Sequence, residues 1–145
     1  METKDDLLPV SLLDSLHTSG AGYDILRYIS LPDIFGSETN TLLYYTGKHL
    51  ARQFEIESLD DVSYMFEKMG WGRLDFVKEK RRYLEFELMS DAIVHRLKTP
   101  LETEFRLEAG FLASAIQKIK GLECECTEEI NKKLHQVIFT VFYTA

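Results

Sequence analysis

Residues 99–129, TPLETEFRLEAGFLASAIQKIKGLECECTEE, change period partway along, and the point of change decides the fold. From Thr99 to Gly121 the apolar residues Leu101, Phe105, Ala109, Leu112, Ile116 and Ile119 recur at three- and four-residue steps, the spacing of one helix face. Thr99 as N-cap, Pro100 at the first helical position and Glu102 at the third supply start signals. The spacing predicts a helix of about twenty residues, ~30 Å long at ~1.5 Å per residue. Its acids Glu102, Glu104 and Glu108 lie early and Lys118 and Lys120 late, as the helix dipole prefers, and Gly121 ends it. Beyond Gly121 the period falls to two, the mark of a strand.

Two strands are predicted there, 122–129 and 135–143, forming a hairpin that turns at Asn131-Lys132. That register sets Cys126 opposite Val137, Cys124 opposite Phe139 and Leu122 opposite Val141, with the more polar set Glu123, Glu125, Thr127, Gln136, Ile138 and Thr140 on the other face. The cysteines therefore belong to the buried face. Side chains two apart on one strand run parallel at about 6.6 Å, so they do not bridge to each other. His135 falls diagonally beside Cys126 on this register, but a fourth ligand and the usual C-x-x-C spacing are lacking, and buried core thiols are the better reading than zinc. No metal or cofactor is expected.

Working back toward the N-terminus, Leu74 and Phe76, then Leu84, Phe86 and Leu88, alternate with charged residues on either side of Lys78-Glu79-Lys80-Arg81-Arg82, a hairpin with a basic tip. AIVHRL, residues 92–97, reads as a third strand or a short turn. Ser58 followed by Asp61 resembles a capping box for a helix carrying Leu59, Val62, Phe66 and Met69, which Gly70 stops. Leu43, Gly47, Leu50 and Phe54 form a stripe behind candidate caps Asn40 and Thr41. Ile25, Leu26, Ile29 and Phe35 mark an earlier helix that Pro32 bends or restarts. The order is helices, hairpin, long helix, hairpin: an α+β domain with an antiparallel sheet of four to five strands against about four helices.

A chain of 145 residues is one ordinary domain, and residues 1–145 are read as a single unit with a flexible stretch at 1–8. A net charge of −7 opposes nucleic-acid binding, which draws on clustered Lys and Arg. The polar, acidic start and the lack of any apolar run near 18 residues predict a cytoplasmic protein without membrane insertion, and two cysteines agree with a reducing compartment.

The four histidines, His17, His49, His95 and His135, fall in different elements, and Ser114 sits inside the long helix, where a back-bonded hydroxyl is commoner than a nucleophile. No catalytic residue is assigned; a thiol- or metal-dependent enzyme using Cys124, Cys126 or His135 is the least favoured reading. The basic tip reads first as a solvated edge. Gly47 and Gly110 each cost about 1 kcal/mol relative to alanine inside a helix, so either close helix packing or room for a ligand offsets them. Close packing is the commoner reason. Tyr44 and Tyr45 precede Gly47 and Phe111 follows Gly110, which lines the alternative, a slot, with aromatics.

DILRYISLPDIFGSE (24–38), LLYYTGKHLARQF (42–54), GWGRLDFVK (70–78) and LEAGFLASAI (107–116) resemble, in order, the motifs of the YslB-like family of small bacterial proteins, a domain of unknown function. More distantly, the element order resembles the four-vinyl reductase domain and subunits of the TRAPP tethering complex. The resemblance implies an antiparallel α+β fold, pairing of protomers through the early helices and, in some members, a pocket for apolar groups. By position, pairing involves Ile25, Tyr28, Ile29, Phe35, Leu42 and Leu43, and a pocket involves Tyr45, Gly47, Trp71, Gly110 and Phe111. The acyl-binding relatives carry an early cysteine, whereas the first here is Cys124, so covalent acylation is not implied. The expectation is a non-catalytic homodimeric domain that binds a small apolar ligand or serves as a protein-interaction module, the alternative being a pure adaptor without ligand.

Overall fold

The computed structural model describes residues 7–16 and 20–144. After a 3-10 turn at Val10–Ser15 come α1 (Gly22–Ile25), a π turn (Leu26–Ser30), α2 (Leu31–Phe35), a short 3-10 turn (Gly36–Glu38), α3 (Thr39–Arg52) and α4 (Leu59–Lys68). Strands β1 (Arg73–Glu79) and β2 (Tyr83–Met89), helices α5 (Asp91–Leu97) and α6 (Arg106–Lys120), and strands β3 (Cys124–Asn131) and β4 (Gln136–Tyr143) complete the order. The fold is α+β, with one four-stranded sheet in the order β1-β2-β4-β3 and every neighbour antiparallel.

Helix α6 is the centre of the domain. Every residue from Glu108 to Ile116 is buried, because β3 and β4 pack on one side of the helix and α3 and α4 on others. Such a helix is apolar nearly all round rather than along one stripe. Beneath it lie Leu84, Phe86, Leu88, Val137, Phe139 and Val141 of the two central strands, all within 2 % of full burial.

Local signals landed unevenly. Ser58 caps α4 by accepting the Asp61 N–H at 3.2 Å, while Asp61 Oδ2 accepts the Glu57 N–H rather than closing the box on Ser58. Gly70 and Gly121 hold the left-handed conformations expected of helix stops, at φ 77° and 72°. The start expected at Thr99-Pro100 is not used. Thr99 Oγ1 instead donates to Arg96 O at 2.7 Å and accepts from Leu101 N at 3.3 Å, closing α5, and α6 begins at Arg106, whose N–H Glu104 accepts at 2.9 Å.

The stretch 92–97 is neither strand nor turn but part of α5, whose N-cap Ser90 accepts the Ile93 N–H at 3.0 Å. Pro32 bends its helix through the π turn: having no N–H, it cannot bond the Tyr28 carbonyl, and Leu31 N–H reaches back five residues to Leu26 O. Leu8 hydrogen-bonds with Gln53 and Glu55 at 2.8 and 2.9 Å, and of the stretch expected to be flexible at 1–8, residues 1–6 lie outside the described residues.

The last hairpin is paired four residues further along β4 than expected. Cys126 faces Val141, Cys124 faces Tyr143, and the turn falls between Asn131 and Gln136. An even slip preserves the face, so both cysteines remain buried. It moves His135 into the turn at φ 51°, at the far end of the strand from Cys126, and the predicted adjacency does not form. Phe76 is on the edge strand beside a bulge and is 45 % exposed, although its ring lies 5.5 Å from Phe86.

Candidate functional site

The π turn sends two consecutive residues, Arg27 and Tyr28, into the domain. Arg27 donates to Glu108 Oε2 and Oε1 at 2.8 and 2.5 Å, to Glu104 Oε2 and Oε1 at 2.9 and 2.7 Å, and to the Tyr23 hydroxyl at 2.8 Å. Beside it, Arg96 bonds Asp24 Oδ1 through Nε and Nη2 at 3.1 and 2.7 Å. Both guanidinium groups lie within 6.0 Å of the Tyr23 and Tyr28 ring centroids. Two arginines against Asp24, Glu104 and Glu108 leave one net negative charge.

This cluster was not anticipated. Glu108 is fully buried, and the signal was available: it stands at the i+3 and i−4 positions between Phe105 and Leu112, on the apolar stripe of α6. Arg27, by contrast, is 81 residues from Glu108 and carried no mark of its partner.

Tyr23 and Trp71 border a cleft of about 810 Å³ that Leu13, Leu16, Leu50, Met69 and Leu107 also line. The Trp71 indole N–H donates to the Tyr23 hydroxyl at 3.3 Å. Its ring stands edge-to-face against Phe66 and Phe111, at 5.0 and 5.5 Å, which fixes the cleft wall. A second cleft of about 450 Å³ lies beside Arg27 and Glu104.

Of the residues expected to line a pocket, only Trp71 borders the larger cleft. A Cβ on Gly47 would lie 2.1 Å from Leu107 O, and one on Gly110 would lie 1.9 Å from Tyr44 O. The backbones of α3 and α6 occupy that space themselves, which replaces the aromatic slot with a helix crossing. Phe111 is in the core, and Tyr45 points outward, 62 % exposed. Tyr44 turns inward to donate to Glu125 Oε1 at 2.6 Å and accept the Cys126 N–H at 3.0 Å.

Of the residues expected on a pairing surface, Ile25, Ile29, Phe35 and Leu42 are exposed, whereas Tyr28 and Leu43 pack inside their own domain and are removed from that surface. Leu26, Ile34 and Tyr45 are exposed alongside them. Among the described residues fifteen large apolar side chains are exposed, and eight of these fall in the segment from Tyr23 to Tyr45. That concentration on one segment sets it apart from the scattered apolar residues of any surface. His17 lies outside the described residues.

Burial pushes the Cys124 thiol up to about 11 and the Cys126 thiol well above its ordinary 9.0. Neither is a ready nucleophile. Burial also raises the phenols of Tyr23, Tyr28 and Tyr44 above 10.0, Glu125 adding to the rise at Tyr44. The folded state thus keeps protons that the unfolded chain releases near pH ~9 to ~10, and the stability contributed is whole below that range and lost as pH rises from it through the raised folded values, about 11 for Cys124. Urea midpoints measured from about pH 8 to about pH 11 are expected to fall; a flat profile would contradict the burial of these groups.

The architecture and the site together define an α+β domain of small size whose cleft sits at the junction of its early helices with α6, and the chain belongs to the family described as protein of unknown function DUF2507, which matches residues 20–142. It is 40 % identical over 129 residues, 89 % of this chain and 87 % of the relative, to the uncharacterized protein YslB of Bacillus subtilis (strain 168). It is 26 % identical over 107 residues, 73 % of this chain and 65 % of the relative, to the uncharacterized protein MJ1642 of Methanocaldococcus jannaschii. A crystal structure of a vinyl-4-reductase family protein from Methanocaldococcus jannaschii superposes with a TM-score of 0.71 over 94 % of this chain and 88 % of its own, at 17 % identity. The shared fold is the content of that last likeness. Among the described residues no helix is long and apolar enough to cross a membrane.

Proposed function

We propose that this chain is a non-catalytic cytoplasmic binding domain that works as a pair of copies and takes a small apolar ligand in the cleft beside Trp71. The observation that carries the reading is the run of exposed apolar side chains Ile25, Leu26, Ile29, Ile34, Phe35 and Leu42 on the early helices. Full burial of such a side chain is worth about 1.5–3 kcal/mol, and these are roughly half exposed, so covering each is worth about half of that, which a second copy with the same face supplies symmetrically. The cleft supports the ligand half: its volume is in the range of small-molecule sites, and its walls are mainly apolar. Protonated, buried thiols support a non-catalytic role and agree with a reducing compartment.

Native mass spectrometry of protein purified from its own cytosol tests both halves in one spectrum. The expected species has two copies, with added mass, and Ile29→Asp with Leu42→Asp is expected to yield single copies that remain folded. A wild type that is single-copy at micromolar concentration removes the pairing half, and a dimer without added mass removes the ligand half. If both fail, an adaptor that offers the same helical face to a different chain remains.

A further inference from the structure

The Tyr23 hydroxyl accepts two hydrogen bonds, from Arg27 Nη1 at 2.8 Å and from Trp71 Nε1 at 3.3 Å. A phenol also has one hydrogen to donate, and neither partner can receive it, because guanidinium and indole N–H groups are donors only. Among the described residues the Tyr23 hydroxyl takes part in these two bonds only as acceptor, and Glu108 directs both its oxygens to Arg27 without meeting the phenol. Tyr23 meanwhile lines the cleft and is 42 % exposed. Two donors fix the hydroxyl oxygen of a side chain that lines the cleft, and its own hydrogen is left over.

We propose that the cleft beside Trp71 holds an uncharged, mainly apolar molecule by one carbonyl oxygen, which accepts the hydrogen of the Tyr23 hydroxyl. The inference rests on the ligand reading of that cleft given above. Charge decides between the acceptors. A carboxylate would face the net negative cluster behind Tyr23, and the nearby cation, Lys68, is shared with Asp14 at 3.3 Å. An ammonium group has no lone pair to offer. A carbonyl accepts strongly and brings no charge into a site walled by Leu13, Leu16, Leu50, Met69 and Leu107. The raised phenol stays protonated, and so remains a donor, throughout the neutral range.

The test is a calorimetric titration of the full chain with three probes of one shape: butyrophenone, butylbenzene, in which the carbonyl is replaced by a methylene, and 4-phenylbutyrate, the charged counterpart. Butyrophenone is expected to bind about fivefold or more tighter than butylbenzene, the worth of one hydrogen bond of ~1 kcal/mol. It should also outbind 4-phenylbutyrate. Tyr23→Phe is expected to bring the two neutral probes to within about twofold of each other, with the wild-type preference standing as an independent readout should that variant fold poorly. Equal binding of the neutral probes to the wild type, lost together on Leu50→Trp, would overturn the carbonyl contact while leaving the cleft as a ligand site. Tightest binding of 4-phenylbutyrate would overturn the exclusion of charge. If none of the three binds, the contact and the ligand reading fall together.

Discussion

Gly110→Ala is expected to destabilise the domain by on the order of 4 kcal/mol, a large share of the ~5–15 kcal/mol that holds a domain of this kind together. The added Cβ would stand 1.9 Å from Tyr44 O, 2.8 Å from Tyr44 C and 3.1 Å from Lys48 N, all backbone atoms of α3. No rotamer change relieves a clash with backbone, so α3 and α6 must separate. Separation opens the packing of α3 against α6 at the centre of the fold. The helical preference for alanine, about 1 kcal/mol, acts in the opposite direction and is too small to compensate. Gly22→Ala is the control: its Cβ meets nothing within 4 Å, and it is expected to be neutral or slightly stabilising. Urea unfolding of both variants measures the difference, and a Gly110→Ala cost below about 1 kcal/mol would mean that the helices do not cross so closely.

Arg27→Met is expected to cost about 3–5 kcal/mol, because it leaves Glu108, fully buried, and Glu104 without their shared cation. The loss reflects the charges left behind more than the worth of the ion pair itself. Arg27→Met combined with Glu108→Leu is accordingly expected to be more stable than Arg27→Met alone, since the second substitution removes the stranded carboxylate and restores apolar packing beside Phe105 and Leu112. Arg27→Lys is expected to resemble Arg27→Met rather than wild type: one ammonium cannot serve two carboxylates and Tyr23 with the geometry of the guanidinium fork. A double variant no better than the single one would show that the cluster contributes through something other than charge pairing.

Gly47 and Gly110 show how local and tertiary information divide. Their energetic cost inside helices was legible from residue type, but that cost is offset equally well by a ligand slot or by another helix. Only the approach of Leu107 O and Tyr44 O decides for the helix. The cleft formed elsewhere, between Leu13 and Leu16 near the N-terminus, Leu50 of α3, Met69 after α4 and Leu107 of α6, residues with no common signal along the chain. Tyr28 and Leu43 were placed on a pairing surface by position. The π turn beside Pro32 and the inner face of α3 bury them, while Ile29 and Leu42 stay outside.

The sequence by itself determined the order of early helices, hairpin, long helix and hairpin though not α5, the α+β class, the buried face of Cys124 and Cys126 and the helix stops at Gly70 and Gly121, because period, capping and left-handed turns are set by residues a few positions apart. It survived even a four-residue error in pairing, since strand faces depend on parity alone. The tertiary structure decided the start of α6, which the distant Arg27 influences by engaging Glu104, the carboxylate that also accepts the Arg106 N–H. It decided likewise which glycines meet backbone, which carboxylates share a cation and where a cleft remains open. Each of those outcomes depends on groups tens of residues apart arriving within ~3 Å, a distance at which burial and hydrogen bonding outweigh local preference.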